Sequence, residues 1–240
     1  MNQAVVRLVI CLLAGGLLCA CHMRSQAPYP EPEIGEVALD KRSEFVEAFL
    51  RGRWCEAQSL FKSSTVDFLR QDDFCAAAYN YQLAWRLTAY LNIPDDSLKA
   101  RAERLAALGL DCGTGRDGLA QGFVGPQDAP WEQFVQEGRF EELEGKVRSE
   151  PDALYASVYG RKGARAAMDQ GRIEAARDLL ETVRRRDADL GWLLFIIEDW
   201  KLFQELETDF ARKQLIQERI NRLEQLVEPC TASLPELERP

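Results

Sequence analysis

Thiols, one imidazole and a glycine string are the groups whose types and spacing suggest chemistry in this 240-residue chain. Cys55, Cys75, Cys112 and Cys230 are widely spaced. In an oxidising compartment four thiols make two bridges with three possible connectivities, whereas in a reducing one they serve as small apolar side chains. His22 is the only histidine. Without a second histidine or a Cys-x-x-Cys-His run it predicts no metal or haem site. Gly113-Thr114-Gly115-Arg116-Asp117-Gly118 spells Gly-x-Gly-x-x-Gly. No strand precedes it and no periodic helix opens at Gly118, so a turn is expected and not a dinucleotide cradle. Gly-x-Ser-x-Gly and His-Glu-x-x-His are absent, and no histidine follows His22 to act as a general base. Glu198 and Asp199 beside Trp200 have the residue types of a glycan-cleaving pair. With 39 acidic residues, spacing singles out no pair. No catalytic residue, metal or non-covalent cofactor is therefore expected.

The amino terminus carries a stronger signal. Met1 to Ala20 has one charge, Arg7, and then an apolar run from Leu8 to Leu18, the pattern of an export signal over residues 1–20. At ~11 to 14 residues the run is short of the ~20 that span a bilayer. It ends in Leu18-Cys19-Ala20-Cys21. These residues resemble the bacterial lipobox, with Leu three before and a small residue one before an invariant Cys; Cys19 stands where Ala, Ser or Thr is usual. The resemblance implies cleavage before Cys21, a diacylglycerol on its thiol and a third acyl chain on the freed amine. Several chains anchor firmly where one is marginal. His22 in place of Asp at the second mature position implies, by analogy with enteric bacteria, the outer membrane facing the periplasm.

Residues 21–39 contain Pro28, Pro30 and Pro32 and little apolar periodicity, so they read as a semi-rigid tether. The net charge is −9, which disfavours electrostatic capture of nucleic acid. From Asp40 onward apolar residues recur every three or four positions with no sustained alternation, predicting an all-α fold. The predicted helices are Lys41 to Leu50, Trp54 to Lys62, Asp73 to Leu91, Asp95 to Leu108, Trp131 to Gln136, Phe140 to Arg148, Asp152 to Gln170, Ile173 to Arg184, Asp189 to Leu206 and Thr208 to Val227. They divide into an amino-terminal half, 40–108, a Gly-rich linker, 109–130, and a carboxyl-terminal half, 131–240. An antiparallel hairpin about Asn92-Ile93-Pro94 would bring Cys75 opposite Cys112, leaving Cys55 for Cys230. Four buried thiols are the competing expectation.

One pattern, Gly-Arg-apolar with Ala or Leu three residues on, occurs at Gly52, Gly138 and Gly171. Each glycine is expected to end a helix in the left-handed conformation, with Trp54, Phe140 or Ile173 stapling the next. Ala57, Leu143 and Ala176 would then lie where helices approach, with Phe61, Val147 and Leu180 one turn later. Gly138 and Gly171 are 33 residues apart. This is similar to the tetratricopeptide family, whose helical hairpins repeat at about that period. The first-helix Trp, Leu-Gly and Tyr pattern of that family is not cleanly present, and Leu143 replaces a small residue. The resemblance implies a short stack of antiparallel hairpins; an irregular helical bundle is the other all-α expectation. The Ile216, Ile220, Leu223 and Val227 stripe suits a capping helix. Arg184-Arg185-Arg186 suits a helix carboxyl end, with anionic headgroups as a second reading. The function implied is a membrane-anchored periplasmic scaffold or assembly factor for an envelope protein partner. A peptidoglycan-active enzyme or glycan binder is the alternative.

Overall fold

The computed structural model describes residues 34–93, 95–110, 112, 128–228 and 230. The signal at 1–20, Cys21, His22, the three tether prolines and the Gly113 to Gly118 string lie outside the described residues. Among the described residues the fold is all-helical: α1 Ile34–Leu50, α2 Trp54–Arg70, α3 Phe74–Tyr90, α4 Asp96–Leu108, α5 Ala129–Gln136, α6 Phe140–Ser149, α7 Ala153–Asp169, α8 Ile173–Leu190, α9 Leu193–Leu206 and α10 Phe210–Glu224. Neighbouring helices pair as hairpins, most extensively α1 with α2, α3 with α4 and α7 with α8.

Four boundaries differ from expectation by more than three residues, each for a local physical reason. The α1 helix starts at Ile34, so the tether gives up residues 34–39; Ala38 is fully buried and packs with Phe68 and Ala77. The α2 helix runs on through Ser64 and Thr65, whose hydroxyls donate to the Phe61 carbonyl at 3.1 and 2.8 Å. That bond lets a polar pair sit inside a buried helix. The α8 helix reaches Leu190 and α9 begins only at Leu193, because Gly191 adopts φ 69° between them.

Six turns of one kind organise the described chain. Gly52, Asp72, Asn92, Gly138, Gly171 and Gly191 all have φ between 57° and 75°. At each, the N–H of the left-handed residue bonds a carbonyl three back and the next N–H bonds one five back, as in Gly52 to Phe49 at 2.9 Å and Arg53 to Ala48 at 2.9 Å. Two stranded carbonyls at a helix end are thereby satisfied. Asp and Asn tolerate this conformation better than other side chains, which is why Asp72 and Asn92 can replace glycine. The residues expected at the helix approaches, Ala57, Leu143, Ala176, Phe61, Val147 and Leu180, are all buried. Of the three proposed staples only Phe140 is buried; Trp54 and Ile173 are exposed.

In the carboxyl-terminal region α5 packs on α7, α7 on α9 and α6 on α8, so successive hairpins stack. Gly160 and Gly163 make the α7 packing possible. A Cβ on Gly160 would meet Val183 Cγ1 at 2.1 Å, and one on Gly163 would meet Leu143 Cδ2 at 2.2 Å. One core runs through α1 to α10. The α1–α2 turn docks on α9 and on the end of α10: Trp192 Nε1 donates to Glu47 at 3.2 Å, and the Glu228 N–H donates to the Gly52 carbonyl at 2.9 Å. Cys55 is bridged to Cys230 and Cys75 to Cys112, with Cα–Cα distances of 5.0 and 5.2 Å.

Candidate functional site

Stacking leaves a groove of about 740 Å³ whose lining comes from α5, α7, α9 and the carboxyl end of α3 with Asn92 and Ile93. Every contributor is the first helix of its hairpin. Val135, Val158, Ala166 and Leu202 supply apolar surface along it. Its charges are paired across helices: Lys162 with Glu132 at 2.6 Å, Arg165 Nη2 with Glu205 at 2.8 Å, and Lys201 with Glu198 at 2.9 Å within α9. At one end Asn92 Nδ2 donates to Glu198 at 3.3 Å, joining the α3–α4 hairpin to α9. The groove therefore presents apolar contact area bordered by paired cations and anions.

At the floor of the groove Arg161 fixes the relation of α7 to α8 and α9. Its Nη1 donates to Asp187 at 2.6 Å and Asp199 at 3.2 Å, and its guanidinium lies 3.6 Å from the Phe195 ring centre. Ser157 donates to the second oxygen of Asp187. Both carboxyl groups are fully buried. Arg161 Nη2 and Asp199 Oδ2 have no hydrogen-bond partner among the described residues. Burial pushes the Asp199 carboxyl well above the ordinary aspartate value, and the like charge of Asp187 adds to this while Arg161 opposes it. Of the two acids around Arg161, Asp199 is the one whose burial favours the protonated form.

A second buried cluster fixes α5. Asp128, fully buried just before α5, accepts from Arg86 of α3 at 2.9 Å and from the Tyr159 hydroxyl of α7 at 2.8 Å. Tyr159 stacks on Trp131 with ring centres 5.3 Å apart. Burial, and the hydrogen bond to Asp128, raise the Tyr159 phenol above its usual value. It stays a donor at any physiological pH.

The residues named from sequence fall as follows. Gly52, Gly138 and Gly171 occupy left-handed turns and do not themselves line the groove. The four cysteines are bridged outside the groove. Glu198, Asp199 and Trp200 do not converge: Glu198 lines the groove, Asp199 is fully buried under it, and Trp200 faces a separate depression with α8 and α10. Consecutive helical residues point about 100° apart, which is why adjacency misleads here. Arg184-Arg185-Arg186 divides likewise. Arg184 lies over the Trp200 ring, Arg185 pairs with Glu181, and Arg186 donates to the Val147 and Glu150 carbonyls at the end of α6.

The residues that sequence reasoning missed are Arg161, Asp187 and Asp128. Asp187 continues the apolar stripe Ala176, Leu180, Val183, and Asp199 interrupts Phe195, Leu202 and Leu206. A carboxylate on a core stripe is the available signal, since such a group must find a buried partner. Comparison of the chain with known protein families, curated proteins and solved structures finds no match.

Proposed function

We propose that this chain is an acylated lipoprotein of the bacterial envelope that works as a protein-binding scaffold or assembly factor. The lipid on Cys21 holds it at the outer membrane, and the tether preceding α1 presents the helical unit to the periplasm. The groove carries this reading: its whole lining comes from the first helices of stacked hairpins, the face that a tetratricopeptide-like array offers to a polypeptide. The six equivalent left-handed turns support such an array over an irregular bundle. The lipobox-like Leu18-Cys19-Ala20-Cys21 supports the anchor. Binding proceeds without a chemical step, with affinity drawn from apolar contact along Val135 and Leu202 and from exchange of the rim ion pairs for partner charges.

Two variants in intact cells test the two parts separately. Cys21→Ser is expected to abolish palmitate labelling and release the protein from the membrane fraction; continued labelling rejects the anchor. Lys162→Glu with Arg165→Glu is expected to keep the label but lose the protein that crosslinks to the parent. Undiminished crosslinking to the same partner rejects the groove.

A further inference from the structure

On another side of α9 lies a second concave surface. Trp200 and Phe203 of α9 with Leu215 and Ile216 of α10 make its apolar wall, in a depression of about 370 Å³. Helical periodicity separates the two surfaces, because Glu198, Lys201, Leu202 and Glu205 line the first groove while Trp200 and Phe203 line this one. Arg184 of α8 and Arg219 of α10 both lie over the Trp200 ring, 5.3 and 4.3 Å from its centre. Among the described residues neither guanidinium makes a hydrogen bond or ion pair. Their N–H donors are free for a ligand, since stacking on an indole uses only the face of the guanidinium.

The acids of this depression are already engaged. Glu181 pairs with Arg185. Glu207 accepts the Thr208 and Asp209 N–H groups at 2.9 and 3.1 Å and sits 3.3 Å from Arg212, contacts that hold its carboxyl below the usual range. Arg177 completes the basic border, donating to the Leu206 carbonyl. A local excess of cations with an apolar wall thus stands on a chain of net charge −9. Leu215, 65% exposed on that wall, is covered by nothing in the described chain.

We propose that the α8–α10 depression docks a short acidic amphipathic segment of a partner protein. An aliphatic or aromatic side chain of the segment packs on Trp200 and Leu215, and its carboxylates take the free forks of Arg184 and Arg219. Charge complementarity selects an acidic occupant, and the planar guanidinium matches a carboxylate bidentately. The surface is a depression of about 370 Å³ that individual side chains can enter and that a planar headgroup layer would bridge, which favours a polypeptide over a bilayer. The proposal is independent of what fills the first groove.

The test uses the full chain in detergent and a labelled synthetic helical peptide with leucines on one face and glutamates on the other. The parent is expected to bind this peptide at least about tenfold more tightly than a scrambled peptide of the same composition. Arg184→Glu with Arg219→Glu is expected to weaken binding about tenfold or more, leave helicity unchanged, and gain affinity for the lysine-for-glutamate peptide. Equal binding of the scrambled peptide, or undiminished binding by the charge-reversed chain, overturns the proposal. So does arginine-dependent binding to phosphatidylglycerol vesicles without binding of the peptide. If charge reversal reduces helicity, Leu215→Asp decides in its place: about tenfold weaker binding supports the site and unchanged binding overturns it.

Discussion

The four amino-terminal helices and the six that follow are fastened by different means. The first region adds covalent bonds to the shared core: Cys75–Cys112 closes the α3–α4 pair, and Cys55–Cys230 ties the start of α2 to the far end of the chain. Hydrogen bonds to polar side chains add to them, as where Arg42 donates to Asn80 and Asn80 to Ser64 at 2.8 Å. The helices α5 to α10 contain no cysteine. They rely on close approach at Gly160 and Gly163 and on the buried charges around Arg161. One region depends on an oxidising surrounding, and the other on shape and proton balance. The groove lies mostly on the second kind of scaffold but borrows the end of α3 from the first.

Removing the bridges is the largest expected perturbation. On the chain-entropy account, Cys55→Ser with Cys230→Ser costs about 5 kcal/mol and Cys75→Ser with Cys112→Ser about 4 kcal/mol. Urea unfolding measures the loss, and hydrogen exchange locates it. Protection is expected to fall first in α1 to α4 while α7 to α9 keep theirs; equal loss in both regions breaks the contrast.

The charged cluster offers the converse test. Either carboxylate alone can balance Arg161, so Asp187→Asn and Asp199→Asn singly are each expected to cost only about 1 to 2 kcal/mol. Together they leave a buried guanidinium unpaired and are expected to cost about 3 to 5 kcal/mol, more than their sum. Additive losses in urea titration would show that the two acids do not substitute for one another.

Gly160→Ala probes shape. The intrinsic helix preference favours Ala by about 1 kcal/mol at an interior position. The new methyl would overlap Val183, so a net loss of about 1 to 3 kcal/mol is expected in thermal or urea unfolding. A stabilised variant would mean that α7 and α8 are free to move apart.

The smallest effect sharpens the proton balance. Asp199 holds its proton in the folded state above the pH at which the unfolded chain has released it, near 4. Its contribution to stability is therefore greatest at low pH and declines as pH rises through the elevated folded value. The groups facing it are Arg161 and Asp187, with Ser157 behind Asp187. Asp199→Asn is expected to lose less stability than the parent between pH 5 and 8. Parallel pH profiles contradict the assignment.

Much of the helical order was readable because apolar residues recur with the helical period and because Asp73, Asp95, Asp152 and Asp209 stand where helices start; each accepts a backbone N–H at the beginning of its helix. A search for glycine turns finds Gly52, Gly138 and Gly171 but passes over Asp72 and Asn92, which make the same turn without glycine. The same search passes over Gly191, because Trp192 follows it in place of arginine, and so divides α8 from α9 in the wrong place. The groove itself was not readable. Which of Glu198, Asp199 and Trp200 faces the groove, the core or a second surface depends on where α7, α8 and α10 pack around α9, and local pattern contains none of that. Nor does an amino-terminal half followed by a Gly-rich linker announce that its first turn docks on α9.

Site-specific photocrosslinking in intact cells tests the central claim most directly. A photoreactive residue replaces Val135 or Lys162 in the groove, and separately Arg148, exposed on α6 outside it. One discrete adduct of the same size from both groove positions, absent at Arg148, is the predicted result. Adducts of equal yield from Arg148, or none from either groove position in a folded and membrane-bound chain, would contradict it.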